Sequence, residues 1–473
     1  MSKIYNIPLD KGYAGKNSQG TPDFPSGYWT GKNMIYREDG ALRCRYSYVR
    51  ISNGVIGGAD KNIVDVFSAD GNFLAICSDM KPYYHGTSGN SWTECNWQGG
   101  GQAPNINIGG YTGKWGWLDA NPVYTNSYNY PLRFSSSGQN YNYLTGGTGD
   151  SFQSRYIIDH QNRLLLASLT TNGARIVYSE VDDPDSGYTS NYVNVGDEIE
   201  EITGIHSVGG NLIVLKRNTI WAKLGTYSDL TSDQFQPIMY GVSALPHSSI
   251  VGRDVLYFSD HAGAFAFIGG SAQNISTPLG YEWSVRSNYN TCFSKFGYWK
   301  YRDWLWVTDG EGAGYDRYST PLVYDVKRGV WYRFEGFTPQ CFTDLGNNLY
   351  FGQEGTTDCA YLFRYGVDID GGLEDTIDQE LQTPFLDLGS PFAEKYIRKI
   401  HLNATGIDQV DVYMRNTPSV LEYDDPTYTI ESPADGEVIN FDSSEKFREI
   451  SIKLTGDGDM VVKGMAVEFE ERR

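Results

Sequence analysis

The chain has little charge for its size and no long apolar run. Only 20% of its 473 residues are charged, and no stretch of about 18 apolar residues occurs, so no membrane insertion is expected. The opening Met1-Ser2-Lys3-Ile4-Tyr5-Asn6 lacks the apolar core of a signal peptide, which points to synthesis and retention in the cytoplasm until assembly. Six cysteines (Cys44, Cys77, Cys95, Cys292, Cys341, Cys359) show no C-x-x-C spacing, so reduced, buried thiols are expected in place of a disulfide or zinc framework.

Motifs of chemistry are scarce as well. The six histidines (His85, His160, His206, His247, His261, His401) stand singly, without the short spacing that sets two imidazoles on one metal. No G-x-x-x-x-G-K-[ST] and no G-x-G-x-x-G opening a helix occurs, so no nucleotide cofactor is indicated. There is no G-x-S-x-G elbow. Asp368-x-Asp370-Gly371 and Asp457-Gly458-Asp459 carry the carboxylate spacing of calcium loops but lack the downstream bidentate Glu, and they read as a linker and a hairpin turn. Ser68-Ala69-Asp70-Gly71-Asn72-Phe73 loosely matches the Asp box of propeller glycosidases, yet it lacks the following Thr-Trp and is not repeated. These absences predict no catalytic residues, no metal and no cofactor.

Basic residues are outnumbered, 38 against 58 acidic ones, for a net charge of -20. A surface of that sign repels phosphates, so DNA wrapping is not expected, while passage of DNA through a non-adhesive conduit is compatible with it. The abundant residues are 36 Tyr and 54 Gly, a composition suited to strands joined by tight turns.

A recurring unit supports that reading: a turn of Gly, Asn or Asp, then a β-rich apolar run, then a second turn and strand. Copies start at Ala69-Asp70-Gly71-Asn72, Asp159-His160-Gln161-Asn162, Gly209-Gly210-Asn211, Gly252-Arg253-Asp254, Tyr301-Arg302-Asp303 and Leu345-Gly346-Asn347. From the second onward the spacing is that of a four-stranded propeller blade. Between the first two the gap doubles, and the intervening Gly/Tyr-rich stretch 98–150 reads as an elaborated loop in preference to a degenerate blade. Its aromatic residues Trp115, Trp117, Tyr124, Tyr128 and Tyr130 are the candidate partner-contacting surface.

Upstream, Lys32–Arg43 reads as strand, turn and strand, expected to help close the ring and so remove exposed edges. Near Asp368–Asp375 a polar linker precedes alternating runs such as Val410-Asp411-Val412-Tyr413-Met414 and Glu449-Ile450-Ser451-Ile452-Lys453-Leu454, the pattern of an antiparallel sandwich. The expected organisation is all-β: a β-propeller of six or seven blades over 1–370 and a C-terminal antiparallel β-sandwich over 371–473. The best helical candidate, a turn near Pro391–Tyr396, is weak.

Three stretches carry a family resemblance: Asn33–Arg43; the series Ala174–Pro184, Gly196–Gly204 and Asn211–Asn218; and Thr383–Pro391 followed by Lys395–Ile400. In their order the chain resembles the propeller-bearing tail nozzle or hub proteins of short-tailed bacteriophages, the packaged-DNA stabilisation or tail accessory factors. That resemblance implies a non-catalytic virion protein of the tail, assembled in the host cytoplasm. Its expected form is a homo-oligomeric ring, a hexamer, beneath the portal-adaptor protein and next to tail fibre, spike or needle proteins, with DNA passing through unbound. A receptor- or glycan-binding propeller of a tail fibre or baseplate is the alternative, and a glycosidase a further one.

Overall fold

A computed structural model describes residues 2–10, 12–13, 30–51, 56, 61–86, 91–106, 113–145, 152–226, 229–242, 244–280, 283, 295–308, 320–353, 361–367, 372, 374, 376–416, 425–442 and 445–472. Among the described residues, seven antiparallel sheets follow one another around a ring, each entered through its innermost strand, and the chain is a β-propeller. The inner strands of blades one to seven are Ile63–Ala69, Lys114–Leu118, Ser154–His160, Ile202–Val208, Ser249–Gly252, Lys295–Trp299 and Pro339–Leu345.

The hairpin from inner to second strand repeats the same local chemistry. Two-residue turns with left-handed backbone match the twist of the paired strands, and they appear at Asp70-Gly71 (φ 47, 81), Gln161-Asn162 (52, 58), Gly209-Gly210 (55, 79) and Arg253-Asp254 (45, 63). These are turns that the sequence repeat marks. The loosely Asp-box-like Ser68–Phe73 is the first of them, a plain hairpin with Ala69 opposite Asn72.

The stretch 98–150 is not an insertion. It supplies blade two, whose strands Lys114–Leu118, Asn121–Thr125, Leu132–Phe134 and Asn140–Tyr143 pair in sequence, with a further short strand, Asn96–Trp97, running parallel on the outer edge. Its hairpin also has two left-handed residues, Asp119 (φ 51) and Ala120 (φ 56).

Neighbouring blades lock through their inner strands. A Cβ at Gly116 would lie 2.9 Å from Ile157 of blade three, one at Gly252 2.5 Å from the Tyr298 ring of blade six, and one at Gly297 2.5 Å from the Phe342 ring of blade seven. Each glycine is thus the slot for the next blade's side chain. Polar contacts finish the circuit: His160 Nδ1 with Ser207 Oγ at 2.7 Å, His206 Nε2 with Ser249 Oγ at 2.8 Å, and Ser68 N donating to Thr343 Oγ1 at 3.1 Å between the first and last blades.

Ring closure takes a strand from each end of the propeller sequence. The outer strand of blade seven is Ser47–Arg50, antiparallel to Leu362–Val367. The upstream hairpin Met34–Tyr36 and Leu42–Cys44, expected to close the ring, instead joins the sandwich by pairing with Val461–Glu471. Ser2–Asn6 pairs with that same strand.

The sandwich therefore takes strands from both ends of the chain. One sheet holds Met34–Tyr36, Leu42–Cys44, Val461–Glu471, Lys395–Thr405 and Val438–Asn440; the other holds Thr30–Lys32, Asp378–Gln382, Glu449–Asp457, Gln409–Arg415 and Tyr428–Glu431. Alternation along these strands puts Ile397, Ile400, Val410, Val412, Ile450, Ile452 and Leu454 in the space between sheets. The stretch near Pro391 forms a turn ahead of Lys395–Thr405, not a helix.

The second sandwich sheet is continuous with blade six. Thr30–Lys32 lies between that blade's outer strand Val330–Arg333, in parallel contact at Lys32 and Arg333, and Asp378–Gln382, so nine strands form one sheet across both bodies. One apolar cluster spans the junction, with Trp331 fully buried and its Nε1 donating to Ile275 O at 2.8 Å. Most of the expected linker lies outside the described residues, but Glu374 is fixed. Its carboxylate takes two bonds from the buried Arg45, Nη1 to Oε2 at 2.8 Å and Nη2 to Oε1 at 2.6 Å, and one from Ser47 Oγ at 3.0 Å.

Candidate functional site

The five aromatic residues singled out from the sequence sit in blade two, where four of them pack against neighbouring rings. Tyr124 is buried, its hydroxyl accepting from Gly113 N at 3.1 Å. Trp115 stacks on Phe67 of blade one at 5.4 Å and packs on Tyr124 at 4.8 Å and Phe134 at 5.4 Å. Trp117 leans on the same Phe67 at 6.1 Å, and Tyr130 meets Tyr143 edge-on at 5.4 Å. Of these four Tyr124 is buried, while Trp115, Trp117 and Tyr130 are half-buried and keep part of their surface open beside this packing. Tyr128 remains exposed, on a turn whose amides at Tyr128 and Asn129 donate to Asn126 Oδ1 at 3.1 and 2.9 Å.

The outer part of blade two nonetheless carries a cleft, about 200 Å³, lined by Gln98, Asn121, Arg133, Ser135, Asn140 and Tyr141 among others. Strand Asn140–Tyr143 and the added edge strand build its wall, with Gln98 N donating to Tyr141 O at 2.9 Å and Gln98 Nε2 to Asn140 Oδ1 at 3.3 Å. Arg133 is held by Asp185 of blade three. Amides and a hydroxyl beside an aromatic ring form a neutral, hydrogen-bonding surface.

A second constellation, invisible in the sequence, lies along the inner strands of the propeller. All inner strands run the same way: Lys114, Ser249 and Lys295 each open an inner strand and Arg155 is second in its own, while Asp65 and His206 lie further along theirs, so six different blades contribute. His247, just ahead of blade five's inner strand, is buried with a left-handed backbone (φ 63) and packs its ring 5.0 Å from that of Tyr156 in blade three. Arg155 lies 3.4 Å from Glu201.

These groups share one electrostatic environment. Burial pushes the Asp65 carboxyl up to about 7, against the opposing pull of Lys114 and Lys295. Burial, with Lys114 adding to it, holds His206 down to about 3, and His247 is lowered by burial together with Lys114, Arg155 and Lys295. Lys114 is itself lowered by burial. Both imidazoles are therefore neutral at pH 7. No linear motif could have found this cluster, because each member is set by ring geometry and not by spacing.

Elsewhere the titratable groups are structural. The four described cysteines are free and buried, and burial raises the Cys44 and Cys341 thiols to about 12, far from a nucleophilic thiolate. Among the described residues, no three His, Cys, Asp or Glu side chains group as metal ligands, and no helix is long and apolar enough to cross a membrane.

No protein-family model matches the chain, and no curated protein does. Solved structures do match, with propeller folds among them. The WD40 β-propeller domain of Doa1 is 9% identical, with TM-score 0.44, covering 70% of this chain and all of the Doa1 domain. YCF48 from Cyanidioschyzon merolae is 10% identical, with TM-score 0.43 and coverage of 67% and 98%. BamB from Moraxella catarrhalis is 10% identical, with TM-score 0.38 and coverage of 64% and 82%. Such identities speak to fold alone.

Proposed function

We propose that this chain is a structural, non-catalytic subunit of a phage tail, of the nozzle type: a ring-forming component beneath the portal adaptor that lets DNA pass and retains it after packaging. The observation that carries this reading is the fusion of propeller and sandwich into one block. Among the described residues, a sheet running through both bodies, a shared apolar core and the Arg45–Glu374 pair tie the two together, which suits a part that transmits load between neighbours above and below. The net charge of -20 suits a conduit that does not hold its cargo.

The test is sedimentation of the purified protein with and without the adaptor ring of the same phage. Monomers alone and closed rings on the adaptor support the proposal; a chain that ignores the adaptor, or is absent from purified particles by mass spectrometry, overturns it. Copies carrying this much charge repel one another until a template concentrates and orients them, and a cyclic ring needs two different patches on each subunit.

The blade-two cleft favours a second reading, a glycan- or receptor-binding propeller. Its amide-rich wall beside Tyr141 matches the hydrogen-bonding needs of sugar hydroxyls. A glycan array decides between them: saturable binding that is lost in Asn140→Ala would favour the receptor reading.

A further inference from the structure

Where the sandwich hairpin meets blade six, side chains of both surround a cavity of about 130 Å³. Its floor is apolar and aromatic: Ile35 of the hairpin, Tyr46 just before the closing strand Ser47–Arg50, and Trp304 at the start of blade six's second strand, all three buried. Its rim is charged, with Arg302, Lys327 and Arg328 from two turns of blade six and Glu38 from the hairpin. A cavity of about 150 Å³ in a protein core accepts benzene. The space here is therefore that of a single six-membered ring.

Two of the three rim cations are already matched. Arg328 Nη1 lies 3.3 Å from Asp325 Oδ2, and its Nη2 donates to Arg37 O at 2.9 Å. Lys327 Nζ lies 3.2 Å from Asp303 Oδ2, although that carboxylate also takes Arg253 Nε. Arg302 has less. Its Nη2 donates to the Tyr46 hydroxyl and its guanidinium carbon lies 5.2 Å from the centre of the Tyr46 ring, while its Nε is buried with no hydrogen-bond acceptor among the described residues. Its carboxylate partner is Glu38, 3.6 Å from Nη1 and with a side chain 93% exposed. That separation is too long for a hydrogen bond, and water screens a pair so exposed. Arg302 thus lines the cavity with one donor unmet and its counter-charge loosely held.

We propose that this cavity binds a small aromatic carboxylate, a single ring bearing one carboxylate group. The ring lies against Trp304, Tyr46 and Ile35, and the carboxylate pairs with Arg302, with Lys327 and Arg328 beside it. A planar guanidinium matches a carboxylate through parallel bonds, and ring-on-ring contact adds to the apolar area buried. Each half of the ligand is needed: a bare oxyanion leaves the aromatic floor uncovered, and a neutral ring leaves Arg302 as it is. Glu38 competes for the same guanidinium, so the ligand displaces it. The site is separate in place and in charge from the amide-lined cleft of blade two.

Isothermal titration calorimetry of the full chain with sodium benzoate, sodium acetate and benzamide, at ionic strength matched with chloride, tests the proposal. Benzoate should show one saturable site per chain, about tenfold or more tighter than acetate, which lacks the ring, or benzamide, which lacks the charge. Arg302→Gln should weaken benzoate binding about tenfold or more, the loss of a charge-assisted contact. Glu38→Gln removes the competitor from an exposed position and should tighten it, while Arg217→Gln, on the surface of blade four, should leave it unchanged. The far-ultraviolet spectrum of Arg302→Gln checks that it folds, and Glu38→Gln carries the test if it does not. Absence of saturable heat with benzoate, or equal affinity for acetate or benzamide, would overturn the site. So would a benzoate affinity unchanged in folded Arg302→Gln or lowered in Glu38→Gln.

Discussion

Replacing Glu374 with Ala attacks the one point where the propeller's closure, the linker and the sandwich hairpin meet. Arg45 is fully buried there with all of its five N–H donors used: Nε to Asn33 Oδ1 at 2.9 Å, Nη1 to Tyr46 O at 2.8 Å and to Glu374, Nη2 to Glu335 O at 2.8 Å and to Glu374. Its guanidinium also lies 4.7 Å over the Phe337 ring. Removing the carboxylate strands a buried cation with two donors unmet, a change that costs about 3–5 kcal/mol for a buried pair. Glu374 keeps 14% of its side-chain exposure, so water can partly replace it, and about 3 kcal/mol is the working figure.

The loss should be local before it is global. Tyr46 and Ser47 lead directly into the closing strand Ser47–Arg50, whose partner is Leu362–Val367. Hydrogen exchange in Glu374→Ala should therefore accelerate first at the amides of those two strands, by about a hundredfold for 3 kcal/mol, while blades three and four stay protected. Arg45→Lys should behave nearly as badly, because an ammonium cannot replace the planar fork. If exchange at Leu362–Val367 is unchanged in both variants, the clamp does not hold the ring closed and the reasoning fails.

Gly297→Ala should destabilise by about 1–3 kcal/mol in urea unfolding, since its Cβ would meet the Phe342 ring at 2.5 Å, and Phe342→Leu in the same chain should recover part of that loss. Asp65 has its folded pKa raised from 3.8 to about 7, so its contribution is fully present below pH 4 and is lost as pH rises through 7; Asp65→Asn should gain stability over wild type at pH 8 and little at pH 4.5. His206 is shifted the other way, to about 3, so the neutral ring's contribution stands above pH 6.5 and fades as pH falls toward 3, and His206→Gln should lessen acid lability between pH 6 and 4. Deleting 113–143 removes blade two and parts Phe67 from Trp115 and Ile157 from Gly116; the expected product is insoluble or open to proteolysis throughout the propeller, and a well-folded deletion product would count against seven-blade closure.

Much of the fold was legible because its turns are. Left-handed two-residue hairpins select Gly, Asn and Asp, and in blades one, three, four and five those residues stand just before aliphatic runs, so each blade announces itself. The sandwich was legible through alternation, as in Gln409–Arg415 and Glu449–Asp457. The partnership of the N-terminal hairpin was not, because Met34–Tyr36 and Leu42–Cys44 are equally good strands in either body, and only the long-range pairing of Leu42 with Val462 assigns them. The inner-strand cluster was illegible for a similar reason. Lys114 and Lys295 look like ordinary solvated lysines in one dimension, and it takes the closed ring to bring both into the electrostatic surroundings of Asp65.

Blade two shows what defeats a turn-based reading. Its hairpin places Ala120 at φ 56, a conformation that costs an L-residue about 1 kcal/mol and that pattern reading does not assign to alanine. Its strands KWGWL and NPVYT carry Trp, Tyr, Gly and Pro where blades three and four carry mostly Leu, Ile and Val. Both departures have a structural counterpart. The large rings fill the space toward blade one, Trp115 on Phe67, and Gly116 thins the opposite face to admit Ile157 of blade three. This blade's outer strands also carry Asn140 and Asn142 around Tyr141, with Asn121 and Ser135 nearby, and that is where the cleft beside Gln98 lies. Polar recognition, if this propeller carries any on its rim, therefore belongs to the blade whose sequence least resembles the repeat.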